Sequence, residues 1–203
     1  MSEQDRQAEE APRQLRRNQV KGMLQFQKRW DERRKEAPAA PKNLRSAEGH
    51  VNVAGSAACF SSAIFTPADP AFLESIEKGV QELVLLLIEK LHCITYSSCE
   101  GHPPAEMAPM RQRHVGILPR DEKEYSRLLH FLRKTAAATR AARGEQASGL
   151  LIKEEMLATD ETNLPCIEIN FAAESCDYPA YRACIEPVYK DFLNRIQEEP
   201  FEP

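Results

Sequence analysis

The sequence contains no apolar run long enough to cross a membrane. The longest run, Leu83–Ile88, is far shorter than the roughly 20 residues that a membrane-spanning helix needs. No apolar stretch follows a basic N-terminus, so no secretory signal is visible and we expect a cytoplasmic protein. In that compartment the six irregularly spaced cysteines are expected to be reduced thiols and not a disulfide framework.

Positive charge is scarce outside the N-terminal quarter of the chain. Residues 1–48 carry a net charge of +4, and the remainder carries −8, which gives the formal total of −4. Long contact with a phosphate backbone needs clustered positive charge. The acidic body therefore does not favour a nucleic-acid partner, although the sequence leaves this open, and no membrane partner is expected.

Residues 1–48 are polar and end in the proline-rich stretch 37–41, which favours a tail and linker over a packed domain. Within them we predict one short amphipathic helix over residues 13–35. Its apolar stripe either docks on the domain of the same chain or binds a protein partner or another copy. The stripe comprises Val20, Met23, Leu24, Phe26 and Trp30.

Residues 49–203 are predicted to form a single α/β domain. The periodicities give the order α-β-β-α-β-β-α, which fits an α+β fold with a mixed or antiparallel sheet and helices packed on one face. The first of these helices is expected to start at Asp69-Pro70 and to continue to Leu91, and the last contains Pro187, which should kink it or mark its beginning. The intervening elements are strands near 92–97, 113–118, 150–157 and 166–171 and a helix from 121 to 144.

One short segment carries more chemistry than a turn requires. Ser97-Ser98-Cys99-Glu100-Gly101-His102-Pro103 follows a predicted strand, and strand ends commonly display functional groups. It combines hydroxyls, a thiol, a carboxylate, an imidazole and a glycine that can adopt positive φ. We therefore take Cys99, His102 and Glu100 as candidate catalytic residues.

Three mechanisms are open for this segment. Cys99 could be a nucleophile whose thiol pKa is lowered by His102 or His114. Cys99, His102 and His114 could instead bind a metal such as zinc or iron, with Cys176 or Glu100 as a fourth ligand.

The third mechanism is a ligand-binding turn. Ser97, Ser98 and the backbone of Gly101 would hold an anionic or nucleotide-like ligand, and Arg111, Arg113 or Arg120 would neutralise its charge. A purely structural alternative is also open, in which Ser97 and Ser98 end the strand, Cys99 fills the core and His102 faces water.

The segment also resembles a known family. A leucine-rich helix followed by Thr95-Tyr96-Ser97-Ser98-Cys99-Glu100-Gly101-His102, a strand and a helix is similar to the front of the wybutosine-synthesis methyltransferases, over at most Phe72–Phe171. Their strand ends in a Thr-Ser-Ser-Cys-x-Gly-Arg turn. This chain has His102 where the family has a basic residue after the glycine. The family's upstream Gly-Ser-Val-Asp element is reduced to Lys78-Gly79-Val80 in this chain. Similar Ser-Cys-Glu-Gly-His turns occur in uncharacterised bacterial and phage proteins.

The resemblance implies an α/β domain that uses S-adenosylmethionine to methylate a tRNA base precursor, with Ser97, Ser98, Cys99 and Gly101 at a ligand-binding turn. The first hypothesis is accordingly a small enzyme that handles a nucleotide-like or anionic substrate. A metal-binding Cys/His enzyme and a non-enzymatic adaptor that docks through its N-terminal helix are the alternatives.

Overall fold

The computed structural model describes residues 20–33, 44–45, 51–52, 65–70, 72–104, 109–159, 161–173 and 177–201. Several features named above lie outside these residues: the expected tail before residue 20, positions 13–19 and 34–35 of the expected N-terminal helix, the proline-rich stretch 37–41, and the thiol of Cys176. In the described part of the chain, no helix is long and apolar enough to cross a membrane.

The architecture is α+β, as the periodicities predicted. The elements are helix α1 (residues 20–32), strands β1 (Leu44–Arg45) and β2 (Val51–Asn52), helices α2 (Phe72–Ser75) and α3 (Lys78–Leu91), strands β3 (Thr95–Cys99) and β4 (Arg113–Ile117), helix α4 (Glu122–Arg143), a 3-10 turn (Gly144–Ala147), strands β5 (Leu150–Ala158) and β6 (Asn163–Phe171), and helix α5 (Tyr178–Glu198).

The main sheet has four strands in the order β3-β4-β6-β5, and every neighbouring pair is antiparallel. Alternate residues of the two central strands are fully buried, including Val115, Ile117, Ile167 and Ile169. They form the core together with α3, α4 and α5, and α5 contacts both α3 and α4. Because strand side chains alternate between faces, this pattern leaves polar residues such as His114 and Glu168 on the other face.

The helix expected from Asp69-Pro70 to Leu91 is interrupted, which corrects the prediction of one continuous helix. α2 ends at Ser75, and α3 begins at Lys78 after Glu77, whose backbone is extended (φ −70°, ψ 141°). The Asp69 carboxylate accepts hydrogen bonds from the backbone and hydroxyl of Thr66 (2.7 and 3.0 Å), and the helix that follows it, α2, has only four residues. The break places Glu77 at the start of α3, facing the end of β3.

α5 starts nine residues before Pro187, with Asp177 as its N-cap: the Asp177 carboxylate accepts from the Ala180 amide at 2.8 Å. Pro187 therefore lies inside the helix and does not mark its beginning. Tyr181, in the first turns of α5, is fully buried, and its ring lies beside the segment that follows β3.

The apolar stripe of α1 docks on the domain of the same chain. Phe26 and Trp30 are buried, and the Trp30 ring meets Phe72 edge-on at 6.0 Å between centroids. A hydrogen bond adds to this interface: Gln27 Nε2 donates to the Pro119 carbonyl at 2.8 Å. Val20 is buried too and Met23 is partly buried, so Leu24 is the one exposed residue of the five-residue stripe. A partner that used this stripe would have to displace α1 from the domain.

Candidate metal centre

The site forms where the end of β3 meets the start of α3. Glu77 makes no side-chain cap to its own helix, and its carboxylate turns instead to the segment after β3. Glu77 Oε2 accepts the Glu100 amide at 2.7 Å, and Oε1 lies 2.8 Å from His102 Nε2. The carboxylate is thereby fixed in place, and only 7% of the Glu77 side chain is exposed.

Cys99 is the last residue of β3 and is 3% exposed. Its sulfur accepts a hydrogen bond from the Gly101 amide at 3.4 Å. Gly101 has φ +91°, and a Cβ there would lie 3.1 Å from the Tyr181 ring, so this position requires glycine. The positive φ at Gly101 allows the chain to turn so that His102 returns toward Cys99.

The backbone of His102 is fixed by a two-way bridge to Arg111: each residue's amide donates to the other's carbonyl at 3.0 Å. Close contacts with the Cys99 thiol and then with the Glu77 carboxylate raise the pKa of His102 from 6.5 to about 10. Nε2 lies 2.8 Å from Oε1 of Glu77, an ion-pair distance, although the two groups are not aligned as a hydrogen bond. With its pKa raised, the imidazole is protonated at neutral pH, so a metal bound here would have to displace the ring proton.

Glu77, Cys99 and His102 each contribute one potential ligand atom, and these three atoms lie within 4.8 Å of one another. A carboxylate oxygen, a thiolate sulfur and an imidazole nitrogen are the three ligand types found at zinc sites. The cluster is thus a candidate metal centre with three protein ligands. His102 is its most accessible member, with 19% of its side chain exposed.

A second layer of contacts supports the cluster. Glu100 Oε2 accepts a hydrogen bond from the Gly79 amide at 2.7 Å, and Glu77 in turn accepts one from the Glu100 amide. Two hydrogen bonds in opposite directions therefore join the start of α3 to the turn after β3. The Glu100 carbonyl accepts from Arg113 Nε at 3.3 Å, and the Gly101 carbonyl accepts from the Tyr178 hydroxyl at 2.7 Å. The carboxylate of Glu100 therefore holds α3 against the turn.

The guanidiniums of the two candidate substrate-binding arginines are paired with carboxylates outside the three-residue cluster. Arg113 is 1% exposed, its guanidinium donates to Glu186 at 3.2 Å, and it lies 4.4 Å from the centroid of the Tyr189 ring. Arg120 follows the opposite end of β4, where it pairs with Asp31 of α1 at 2.9 Å and with Glu124 at 2.7 Å. Both guanidiniums thus have carboxylate partners within the chain.

His114 lies opposite Cys99 in the β3–β4 register but does not belong to the three-residue cluster. Its Nδ1 is 3.1 Å from the Gln112 carbonyl, which can only accept, so Nδ1 carries the proton. Its Nε2 is 3.3 Å from Ser97 Oγ. Ser98 pairs with Val115 and lies outside the cluster as well.

Sequence reasoning missed Glu77. It lies more than 20 residues before Cys99, and no local spacing links the two. The available signal was Gly79, a helix-weakening residue in the first turn of a leucine-rich helix, because such a glycine often marks a close approach of another segment. A Cβ at Gly79 would indeed lie 2.7 Å from Glu100 Oε2.

Comparisons with models of protein families, with curated proteins and with solved structures find no match for this chain. The resemblance to the wybutosine-synthesis methyltransferases therefore stays a prediction that rests on the turn residues alone.

Proposed function

We propose that this protein is a metal-dependent enzyme in which Glu77, Cys99 and His102 bind a divalent transition metal, and that zinc is the metal. The observation that carries the proposal is the convergence of a carboxylate oxygen, a thiol sulfur and an imidazole nitrogen within 4.8 Å. Neither magnesium nor calcium fits, because both prefer oxygen ligands alone.

Three further features support a metal over a simple hydrogen-bond network. His102 Nε2 faces the Glu77 carboxylate at 2.8 Å without the alignment of a hydrogen bond. The Gly101 amide points at the Cys99 sulfur, as an outer hydrogen bond to a metal-bound thiolate does. Glu77 is oriented by the Glu100 amide, so the carboxylate is held before any metal arrives.

A set of three protein ligands is typical of catalytic zinc, because the fourth position remains for water or substrate. Held by Glu77, Cys99 and His102, zinc would supply a bound water whose pKa is lowered to about 7, which would make it a nucleophile at neutral pH. The part of His102 that remains exposed marks the side from which water and substrate would reach the centre. We assign the reaction to metal-assisted hydrolysis, and a nucleotide-like or anionic substrate stays a prediction.

The test is the metal content of the full chain purified without an affinity metal. Wild type should carry about one zinc per chain, whereas Glu77→Gln and His102→Gln should each lower the zinc affinity at least 10-fold. Glu89→Gln, an exposed glutamate on α3, and Cys184→Ala, an exposed cysteine, are matched controls that should keep the metal. Metal-free wild type whose zinc affinity equals that of the Glu77 and His102 variants would contradict the proposal.

One second function has a specific observation in its favour. The close contacts of His102 with Cys99 and with Glu77 also match a thiol–imidazole–carboxylate triad with Cys99 as nucleophile. The low exposure of Cys99 disfavours this function, because a nucleophile must reach its substrate.

Iodoacetamide distinguishes the two functions. A nucleophilic Cys99 would be alkylated faster than the exposed Cys184 in wild type treated with a chelator. A zinc ligand would instead be alkylated only when the chelator is present, and more slowly than Cys184. Mass spectrometry of the two modified peptides gives the rates.

A further inference from the structure

Strand β5 is a long edge strand. It pairs with β6 at nine consecutive positions without a bulge, and in the described part of the chain it has no strand on its other side. Its backbone is therefore open to pairing along that side, and native proteins rarely leave so long and regular an edge unprotected. Two of the four exposed large apolar side chains among the described residues, Leu151 and Met156, lie on this strand.

The side-chain pattern of β5 is complementary to itself. In an antiparallel pair of two β5 strands centred on Glu154, Lys153 faces Glu155 of the second copy, and the reverse pair forms as well. On the same face Leu151 meets Leu157 of the second copy, and on the other face Ile152 meets Met156. If the charges on β5 served only to prevent association, like charges would face each other in this pair. Lys153 and Glu155 instead bring opposite charges together and so attract a second copy.

The centre of this arrangement is also balanced in charge. Glu154 would face its own copy, which alone would be repulsive. Glu154, however, is already bound by the Arg133 guanidinium and by the Tyr125 hydroxyl, both from α4. The centre would therefore hold two carboxylates and two guanidiniums, so the like-charge contact is compensated.

We propose that two copies of this chain associate through β5, forming one continuous eight-stranded antiparallel sheet. The occupant of the edge is a second copy because the lysine and glutamate occupy symmetry-related positions about Glu154. The proposal does not depend on the metal centre.

The test is a charge exchange at Lys153 and Glu155 in the full-length chain. Sedimentation equilibrium of wild type should give a mass approaching twice the 23.0 kDa of one chain as concentration rises. Lys153→Glu and Glu155→Lys should each weaken dimerisation about 10-fold or more, because two like-charge pairs replace two ion pairs. The double variant Lys153→Glu/Glu155→Lys should restore it, since both pairs form again with reversed signs.

Two controls keep the test decisive. Lys190→Glu changes the same charge on an exposed position of α5 and should leave the dimer intact. Lys153 also lies 3.6 Å from Glu168 within the chain, so the melting temperature of each variant is measured to exclude loss of folding. A monomeric wild type at all accessible concentrations would overturn the proposal. So would a dimer that the single variants leave unchanged, or one that the double variant fails to restore.

Discussion

Replacing Gly79 with alanine tests the contact between α3 and the turn that carries Cys99 and His102. In an ordinary helix this change stabilises by up to about 1 kcal/mol, because glycine is the poorer helix former. Here the added Cβ would lie 2.7 Å from Glu100 Oε2 and 3.0 Å from Glu100 Cβ. The Glu100 side chain must move, and its hydrogen bond with the Gly79 amide is lost.

The expected cost follows from these contacts. A hydrogen bond to a charged group contributes about 1.5–3 kcal/mol, and overpacking adds about 1–3 kcal/mol where the neighbours cannot yield. After the gain in helix propensity of up to about 1 kcal/mol is subtracted, we expect Gly79→Ala to lower the free energy of unfolding by about 1.5–5 kcal/mol. For a chain of this size, the melting temperature falls by about 2–4 °C per kcal/mol.

Gly22→Ala is the matched control. Gly22 lies in α1, and a Cβ there would meet nothing within 4 Å, so the same substitution should stabilise by up to about 1 kcal/mol. Thermal unfolding followed by circular dichroism gives both values. If Gly79→Ala raised the melting temperature as much as Gly22→Ala does, the close approach of Glu100 to α3 would be refuted.

Two further predictions concern packing and buried thiols. Trp30→Ala should lower the free energy of unfolding by about 3–5 kcal/mol in a denaturant titration, because the ring packs edge-on against Phe72; an unchanged midpoint would contradict the docking of α1. Burial raises the pKa of the Cys93 thiol above its ordinary value of 9.0. Above about pH 9 the unfolded chain loses this proton while the folded protein keeps it, so the free energy of unfolding should fall as the pH rises. Cys93→Ala should reduce this loss, and a pH profile identical to wild type would contradict the prediction. In mass-spectrometric alkylation at neutral pH, Cys184 should react while Cys93 stays unmodified until the protein unfolds.

The fold class was accessible from the sequence because the core residues follow clear periods. Ile167 and Ile169 alternate with Glu168 and Asn170 along β6, and Leu83, Leu87 and Leu91 repeat at helical spacing along α3. The break between α2 and α3 at Glu77 could not be predicted from the sequence. The helical period runs through it, and the residue leaves the helix because of contacts with a segment more than 20 residues away.

The candidate site could be predicted only in part for the same reason. Cys99 and His102 are three residues apart, so their local chemistry was visible in the sequence. Glu77 reaches them only through the packing of α3 against β3, which depends on the tertiary structure. The position of Arg113 could not be predicted either. Nothing in the sequence indicates that this charged strand residue is only 1% exposed and is paired with Glu186.

Cobalt substitution tests the central claim most directly. Co²⁺ added to metal-free wild type should give a thiolate-to-cobalt charge-transfer band together with the visible absorption of a tetrahedral ion, saturating at one cobalt per chain. Cys99→Ser should abolish the charge-transfer band, whereas Cys184→Ser should leave it unchanged. A wild-type spectrum identical to that of free Co²⁺, or a charge-transfer band that survives in Cys99→Ser, would contradict a metal centre built on Glu77, Cys99 and His102.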